Sequence, residues 1–295
     1  MIIECPKGHR GGSSIRPGCR KVSRVYVFLA IVIGFASAVL SGMFGIGGAA
    51  LSTPSLRLIL DTTPQIALGT TLPVTIPTAA AGAFTYWRRG LVDMRVAAIC
   101  CSSGVIGATA GAIATHWLDL HYLMILTGAI VLYVAALTIR RGTTGGGAPS
   151  GPEEAVPESE LKETDEAASY QVSVPIALAV GLIAGIFSGL LGVGGGVLLI
   201  PGFLYLLHMP LRKSFATSLA VIAVIAIPGT IVHSVLHHIS WLLVLYLVIG
   251  AIPGAYLGAR INLRTAERIL YILFGSLLGA FGLLFIVNEI ISMTR

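Results

Sequence analysis

Two runs have residue types and spacing that could do chemistry. They are Ser41-Gly42-Met43-Phe44-Gly45-Ile46-Gly47-Gly48 and Ser188-Gly189-Leu190-Leu191-Gly192-Val193-Gly194-Gly195-Gly196. Glycine clusters of this kind interrupt a helix, and without Cβ atoms they let successive backbone N–H groups approach a ligand. Each is followed by a short apolar segment, Ala49–Leu60 or Val197–Leu207, of roughly a dozen residues, where spanning a bilayer takes ~20. A short helix starting behind the glycines offers unpaired N–H groups and the positive end of its dipole. Nearby hydroxyls come from Ser41, Thr70, Thr71, Ser188, Thr217 and Ser218, with Ser52 and Thr53 beside them. The chemistry this set suits is binding of a small oxyanion without a buried Arg or Lys. Close helix packing by small residues is the competing reading of any one glycine pair. Two equivalent breaks, each ahead of a short helix, favour the ligand.

Other candidates are weaker. His233, His237 and His238 could share a helix face, but no carboxylate or cysteine lies nearby, so no metal site is expected. His233 alone is a candidate proton carrier, because an unperturbed imidazole titrates near pH 6.5. Ser41 or Ser188 with His233 would make a serine–histidine dyad; the duplicated serines have no duplicated histidine, and an enzyme is not expected. Tyr86, Trp87 and Trp241 sit at segment ends and are expected at the membrane interface. Asp61 and Asp93 are expected as helix caps. Cys100 and Cys101 read as small packing residues, and no cofactor is implied.

The elements that must position these residues follow from composition. The 295 residues are 55% hydrophobic and 11% charged, with a mean hydropathy of +0.89. A soluble domain carries roughly 25% charged residues. The net charge of +6 is spread over the ends of apolar runs, which argues against a nucleic-acid partner and for the lipid bilayer. The expectation is an all-α polytopic protein of the cell (cytoplasmic) membrane. A basic tail, 1–24, precedes apolar segments near 25–41, 48–60, 65–86, 96–114 and 121–139. Segments resume near 174–191, 195–207, 214–235, 241–261 and 268–288. The run after the tail has no small-residue cleavage site leading into a soluble domain and reads as a span, not a signal peptide. Between the halves, 142–172 is rich in Gly, Pro and Glu and is expected to be a disordered linker.

The halves, 25–141 and 173–289, repeat. Ser41 aligns with Ser188, an offset of 147, and the same offset pairs Pro54 with Pro201, Thr70 with Thr217, Thr71 with Ser218, Gly107 with Gly254 and Gly111 with Gly258. Five elements per half is an odd number, so the second repeat is expected upside down relative to the first. Each would carry a broken or re-entrant hairpin, with glycine tips meeting near the midplane, a common plan of secondary transporters. Arg88, Arg89, Arg95, Arg140, Arg141, Lys162, Arg212, Lys213, Arg260, Arg264 and Arg268 then gather on one face, which the positive-inside rule makes cytoplasmic. Both termini, including the 290–295 tail, fall outside, although the six basic residues up to Arg24 oppose that orientation.

Gly45-Ile46-Gly47-Gly48 with Pro54, Gly192-Val193-Gly194-Gly195-Gly196 with Pro201, and Ala216-Thr217-Ser218-Leu219 resemble the duplicated motif of the sulfite exporter TauE/SafE family over roughly 25–288. The resemblance implies a transporter for a small sulfur-containing anion such as sulfite, sulfoacetate or another organosulfonate. Its binding site would be Gly45, Gly47, Gly48, Gly192, Gly194, Gly195 and Gly196 with the hydroxyls named above. Ala49, where the second copy has Gly196, makes the first tip less open. A passive anion channel is the alternative, and assembly as a homo-oligomer is compatible with the apolar surface.

Overall fold

Backbone in an apolar run must satisfy its own hydrogen bonds where water is absent, and the helix does so within one segment. The computed structural model describes residues 24–60, 64–114, 131–140, 143, 173–191, 195–235 and 239–293, and these are helical with no strand among them. Ten helices follow in order: α1 (Arg24–Phe44), α2 (Ala49–Leu60), α3 (Pro64–Trp87), α4 (Met94–Ala114) and α5 (Val131–Arg140) in the first half. The second half has α6 (Val174–Leu191), α7 (Gly196–Pro201, continued by a π turn over Gly202–Leu206), α8 (Leu211–Val235), α9 (Trp241–Arg264) and α10 (Glu267–Met293). Four of them, Tyr26–Phe44, Met94–Ala114, Leu211–Val235 and Trp241–Arg264, are long and apolar enough to cross a membrane. Where they fall on described residues the expected segments are helical, with α8 starting at Leu211 instead of 214 and α10 running five residues past the expected end at 288; of the 121–139 segment only 131–139 is among the described residues. The 144–172 stretch, the 1–23 tail, the 115–122 loop, Gly192, Gly194, His237 and His238 lie outside the described residues.

Small residues decide which helices touch. On α1, Gly34 lies against Leu247 and Gly42 against Ala255; on α9, Gly250, Gly254 and Gly258 lie against Ile31, Phe35 and Val39. The numbers rise together, so α1 and α9 run parallel. The second such pair is α4 with α6: Gly181, Gly185 and Gly189 lie against Cys100, Gly104 and Ala108, and Gly107 and Gly111 against Leu182 and Ile186. In both pairs a Cβ would strike backbone of the neighbour, so glycine is what permits the approach. Adding 147 to the α1 positions and subtracting it from the α9 positions turns the contacts of Gly34 with Leu247, Phe35 with Gly254, Val39 with Gly258 and Gly42 with Ala255 into those of Gly181 with Cys100, Leu182 with Gly107, Ile186 with Gly111 and Gly189 with Ala108. The first helix of each half thus packs on the fourth helix of the other half.

Between these pairs run α3 and α8. Gly82 packs on Leu219 and Gly229 on Leu72, so this pair is antiparallel. Side chains such as Phe28, Ile106, Leu245 and Ile249 face outward as an apolar coat, suited to lipid. Trp87 and Trp241 are exposed at helix ends, as expected of interfacial residues, and Arg88 lies over the Phe84 ring at 5.9 Å. Tyr86 departs from that expectation. It is fully buried, because its hydroxyl has a partner inside the protein.

Candidate functional site at the helix breaks

The first break ends α1 and starts α2. Gly45 at φ +70 and Gly47 at φ +82 occupy the left-handed region that residues with a Cβ avoid. Around them the broken helix is held by side chains from three other helices. Tyr86 of α3 donates to Gly42 O at 2.9 Å, and Asn262 of α9 donates through Nδ2 to Met43 O at 2.6 Å. Ser218 of α8 lies within reach of Gly45 O at 2.8 Å and of its own Phe215 O at 2.9 Å. The carbonyls of Gly42, Met43 and Gly45 are ones that a helix end leaves without an intrahelical partner. On the far side of the break, Ala49 N donates to Thr75 Oγ1 at 3.1 Å, while the Thr75 hydroxyl donates to Thr71 O at 2.9 Å. Ser52 returns to Gly48 O at 2.6 Å, and Thr53 meets Thr71 hydroxyl to hydroxyl at 3.0 Å.

The second break meets the first. Gly195 has φ +71 and lies against Ala184 O and Ser188 Cβ, and its carbonyl accepts from Leu198 N and Leu199 N at the start of α7. Gly196 packs directly on the carbonyl of Ile46. Ile222 fills the space between, with methyl groups against both Gly47 and Gly196. It occupies the position that Thr75 holds in the first repeat. The two breaks are therefore unequal in a way the departure at Ala49 did not anticipate: one has a hydroxyl on its helix start and the other a hydrocarbon.

Of the residues singled out from sequence, Ser41, Gly45, Gly47, Gly48, Gly195, Gly196, Ser188, Thr71 and Ser218 are buried around the two breaks. Ser41 Oγ is fully buried without a hydrogen-bond partner. Thr70 and Thr217 have other engagements. Thr70 Oγ1 accepts from Ser240 N at 3.1 Å, ahead of α9, and Thr217 Oγ1 accepts from Asp93 N at 3.1 Å, ahead of α4. The two contacts are equivalent under the repeat. Asp93 caps α4 as expected, with Oδ1 accepting from Arg95 N at 2.9 Å and Val96 N at 3.0 Å. His233 is half-buried on α8 at the position equivalent to Tyr86. Among the described residues no three His, Cys, Asp or Glu side chains gather to hold a metal. Sequence reasoning missed Tyr86, Thr75 and Asn262. The signal available for Tyr86 was its pairing with His233, two polar residues at one repeat position in otherwise apolar helices.

The interior at the breaks is rich in hydroxyls and backbone, and its duplicated glycine motif spans both halves. The profile of the sulfite exporter TauE/SafE family matches residues 30–285. The chain belongs to this family. Its relatives include YunE of Bacillus subtilis, a probable membrane transporter protein 27% identical over 278 residues, covering 89% of this chain and 98% of that one. A probable membrane transporter protein of Xylella fastidiosa is 26% identical, covering 79% and 82%. One from Methanocaldococcus jannaschii is also 26% identical, covering 86% and 93%. No solved structure matches. This TauE/SafE protein is thus a membrane protein of a transporter family, and the catalytic dyad entertained for Ser41, Ser188 and His233 has no counterpart in what its relatives are named for.

Proposed function

We propose that the protein is a secondary transporter that moves a small sulfur-containing anion (sulfite, sulfoacetate or another organosulfonate) across the cytoplasmic membrane by alternating access. Its two halves are inverted repeats, each with a broken hairpin. The antiparallel crossing of α3 and α8, equivalent helices of the two halves, supports that inversion. The observation that carries the site is the meeting of Gly196 with the Ile46 carbonyl: both breaks reach one interior point from different halves. The anion sits there, among Gly45, Gly47, Gly48, Gly195 and Gly196, with the buried, unpartnered Ser41 hydroxyl and with Ser188 beside Gly195, and with Thr71, Ser218, Thr70 and Thr217 shaping the surrounding frame; Gly192 and Gly194, outside the described residues, are assigned to the site by their place in the motif. A desolvated anion must regain hydrogen bonds, and helix starts and hydroxyls supply them where no central Lys or Arg does. Each charge-assisted bond is worth roughly 1.5–3 kcal/mol. The acidic linker lies on the arginine-rich, cytoplasmic side, and His233 is the candidate for proton coupling.

Counterflow in proteoliposomes tests the reading. Loaded, unlabelled sulfite or sulfoacetate should accelerate uptake of the labelled anion. Flux without such acceleration would make the protein a channel, and no flux with sulfite, sulfoacetate, taurine, thiosulfate or sulfate would end the proposal. A thermal-shift screen of the same anions ranks them, because a ligand bound by the native state raises stability with the logarithm of its concentration.

A further inference from the structure

A groove opens on the outer surface where the two halves meet, at the arginine-rich end of the bundle. Ala83, Phe84 and Trp87 of α3, Val92 and Met94 at the turn into α4, and Ala220 of α8 line a cavity of about 220 Å³. Its walls are apolar. The Phe84 and Trp87 rings stand 6.0 Å apart, centroid to centroid, and both are more than half exposed. Ala83 and Ala220 are half-buried, and their small side chains leave the space open. Arg88 lies over the Phe84 ring, its guanidinium carbon 5.9 Å from the centroid, so a cation stands against the aromatic wall of the groove. Arg89 follows Arg88, Arg95 follows Met94, and all three arginines are exposed. Asp93, between Val92 and Met94, turns its Oδ1 to the Arg95 and Val96 N–H groups at the start of α4. One turn before Ala220, Thr217 of α8 accepts from Asp93 N, so the groove lies over a contact between the halves.

The arginines are not a by-product of the duplication. The offset of 147 sets Arg88, Arg89 and Arg95 against Val235, Leu236 and Leu242, and Phe84 and Trp87 against Ile231 and Ser234. Orienting the chain in the membrane needs the charges but no slot beside them. A slot walled by aromatic rings, with cations at its mouth, fits a molecule with a hydrocarbon chain at one end and a negative headgroup at the other. We infer that the groove holds an acyl chain of an anionic phospholipid from the leaflet on the arginine-rich side, with its phosphate against Arg88 and Arg95. Basic pockets between transmembrane helices collect anionic headgroups, and the planar guanidinium fork suits a phosphate. A chain seated there touches α3, the turn into α4 and α8 together, and so braces the Asp93–Thr217 contact. The inference requires a chain embedded in a bilayer and does not depend on the transported substrate.

Trp87 itself reports on the groove. In the full-length protein with Trp117→Phe and Trp241→Phe, Trp87 is the one remaining indole. Its fluorescence is read in phosphatidylcholine nanodiscs while brominated phosphatidylglycerol or brominated phosphatidylcholine of the same chain length replaces the host lipid, because bromine quenches an indole it touches. Half-maximal quenching should need about fivefold less phosphatidylglycerol, the factor that one basic residue near the surface is worth, and high salt should erase the difference. Arg88→Gln together with Arg95→Gln should bring the ratio of the two lipids to about one. Ala220→Leu narrows the groove with every arginine in place, and it should lower the ratio as well. Ala83→Leu, on the facing helix, repeats that arm if Ala220→Leu does not fold. Equal quenching by both lipids at low salt would show an unselective lipid annulus and overturn the inference. A preference that survives the loss of both arginines would also overturn it. So would a preference untouched by the leucine variants, which would reduce it to attraction by a basic surface. Trp87 shielded from both lipids would give the groove to a second copy of the chain instead.

Discussion

The Tyr86 hydroxyl on α3 donates to the carbonyl of Gly42, 2.9 Å away in the last turn of α1, and both residues are buried. It is a direct tie between a broken helix and the central antiparallel pair. Tyr86→Phe keeps the ring and removes the donor, leaving a buried carbonyl unmatched. The expected loss is between about 0.6 and 2 kcal/mol, the range seen for buried hydrogen bonds in membrane helices and in soluble cores. Thermal melts in detergent measure it. An unchanged melting temperature would show that the tie does not hold the break.

The glycine stripes predict equal sensitivity at repeat-related sites. Gly107 lies on Leu182 and Gly254 on Phe35, and in each case an added side chain meets a backbone carbonyl. Gly107→Val and Gly254→Val should therefore destabilise to similar extents, by at least the 1–3 kcal/mol typical of overpacking. Gly90 offers the contrast. It has φ +72 but open space around it, so Gly90→Ala should cost only the left-handed penalty of about 1–2 kcal/mol. Melts of the three variants, side by side, decide this; a Gly90→Ala protein as damaged as the other two would refute the packing argument.

Thr70 and Thr217 bond the backbone ahead of α9 and α4. Thr70→Val and Thr217→Val should each lower stability by about 1 kcal/mol, and Thr217→Ser should be nearly neutral because the oxygen survives. Substrate affinity measured on the same variants separates this frame role from direct contact: a drop in affinity for Thr217→Val at unchanged stability would return Thr217 to the anion site.

At the second break, Gly195→Val places a β-branched residue at φ +71 against Ala184 O. Transport should be abolished, and the milder Gly196→Ala, pressing on Ile46 O, should slow it. Counterflow rates normalised to folded protein are the measurement. Wild-type flux in Gly195→Val would end the glycine-break site.

The contact of Asp93 with Thr217 and of Arg212 with Thr265 gathers the turns after α3 and α9 at one end of the bundle, while Ser240 with Thr70 marks the other. In a background lacking Cys5, Cys19, Cys100 and Cys101, Gly90→Cys and Thr265→Cys should label from the same side of the membrane and Ser240→Cys from the opposite one. Labelling of all three from one side would refute the proposed arrangement.

The amino-acid sequence by itself determined the membrane class, the duplication and the two breaks. Those properties are local or additive: hydropathy sums along a segment, a glycine cluster interrupts whichever helix contains it, and an offset of 147 is visible in residue identities alone. It also carried the cap at Asp93, because a cap involves neighbours within one turn. What only the tertiary structure decided was who holds whom. The exchange of first and fourth helices between halves depends on the facing of small-residue stripes, which in sequence are indistinguishable from stripes facing any other helix. Tyr86 looked like an interfacial aromatic until α1 was laid beside it, and only the fold shows that the Thr70 and Thr217 oxygens accept from the backbone ahead of two helices. The inequality of the breaks rests on Thr75 in one repeat and Ile222 in the other, a single exchange among many. It acquires meaning only where α3 and α8 cross, because a hydrogen bond and a methyl contact are settled by ångström distances that residue order does not contain.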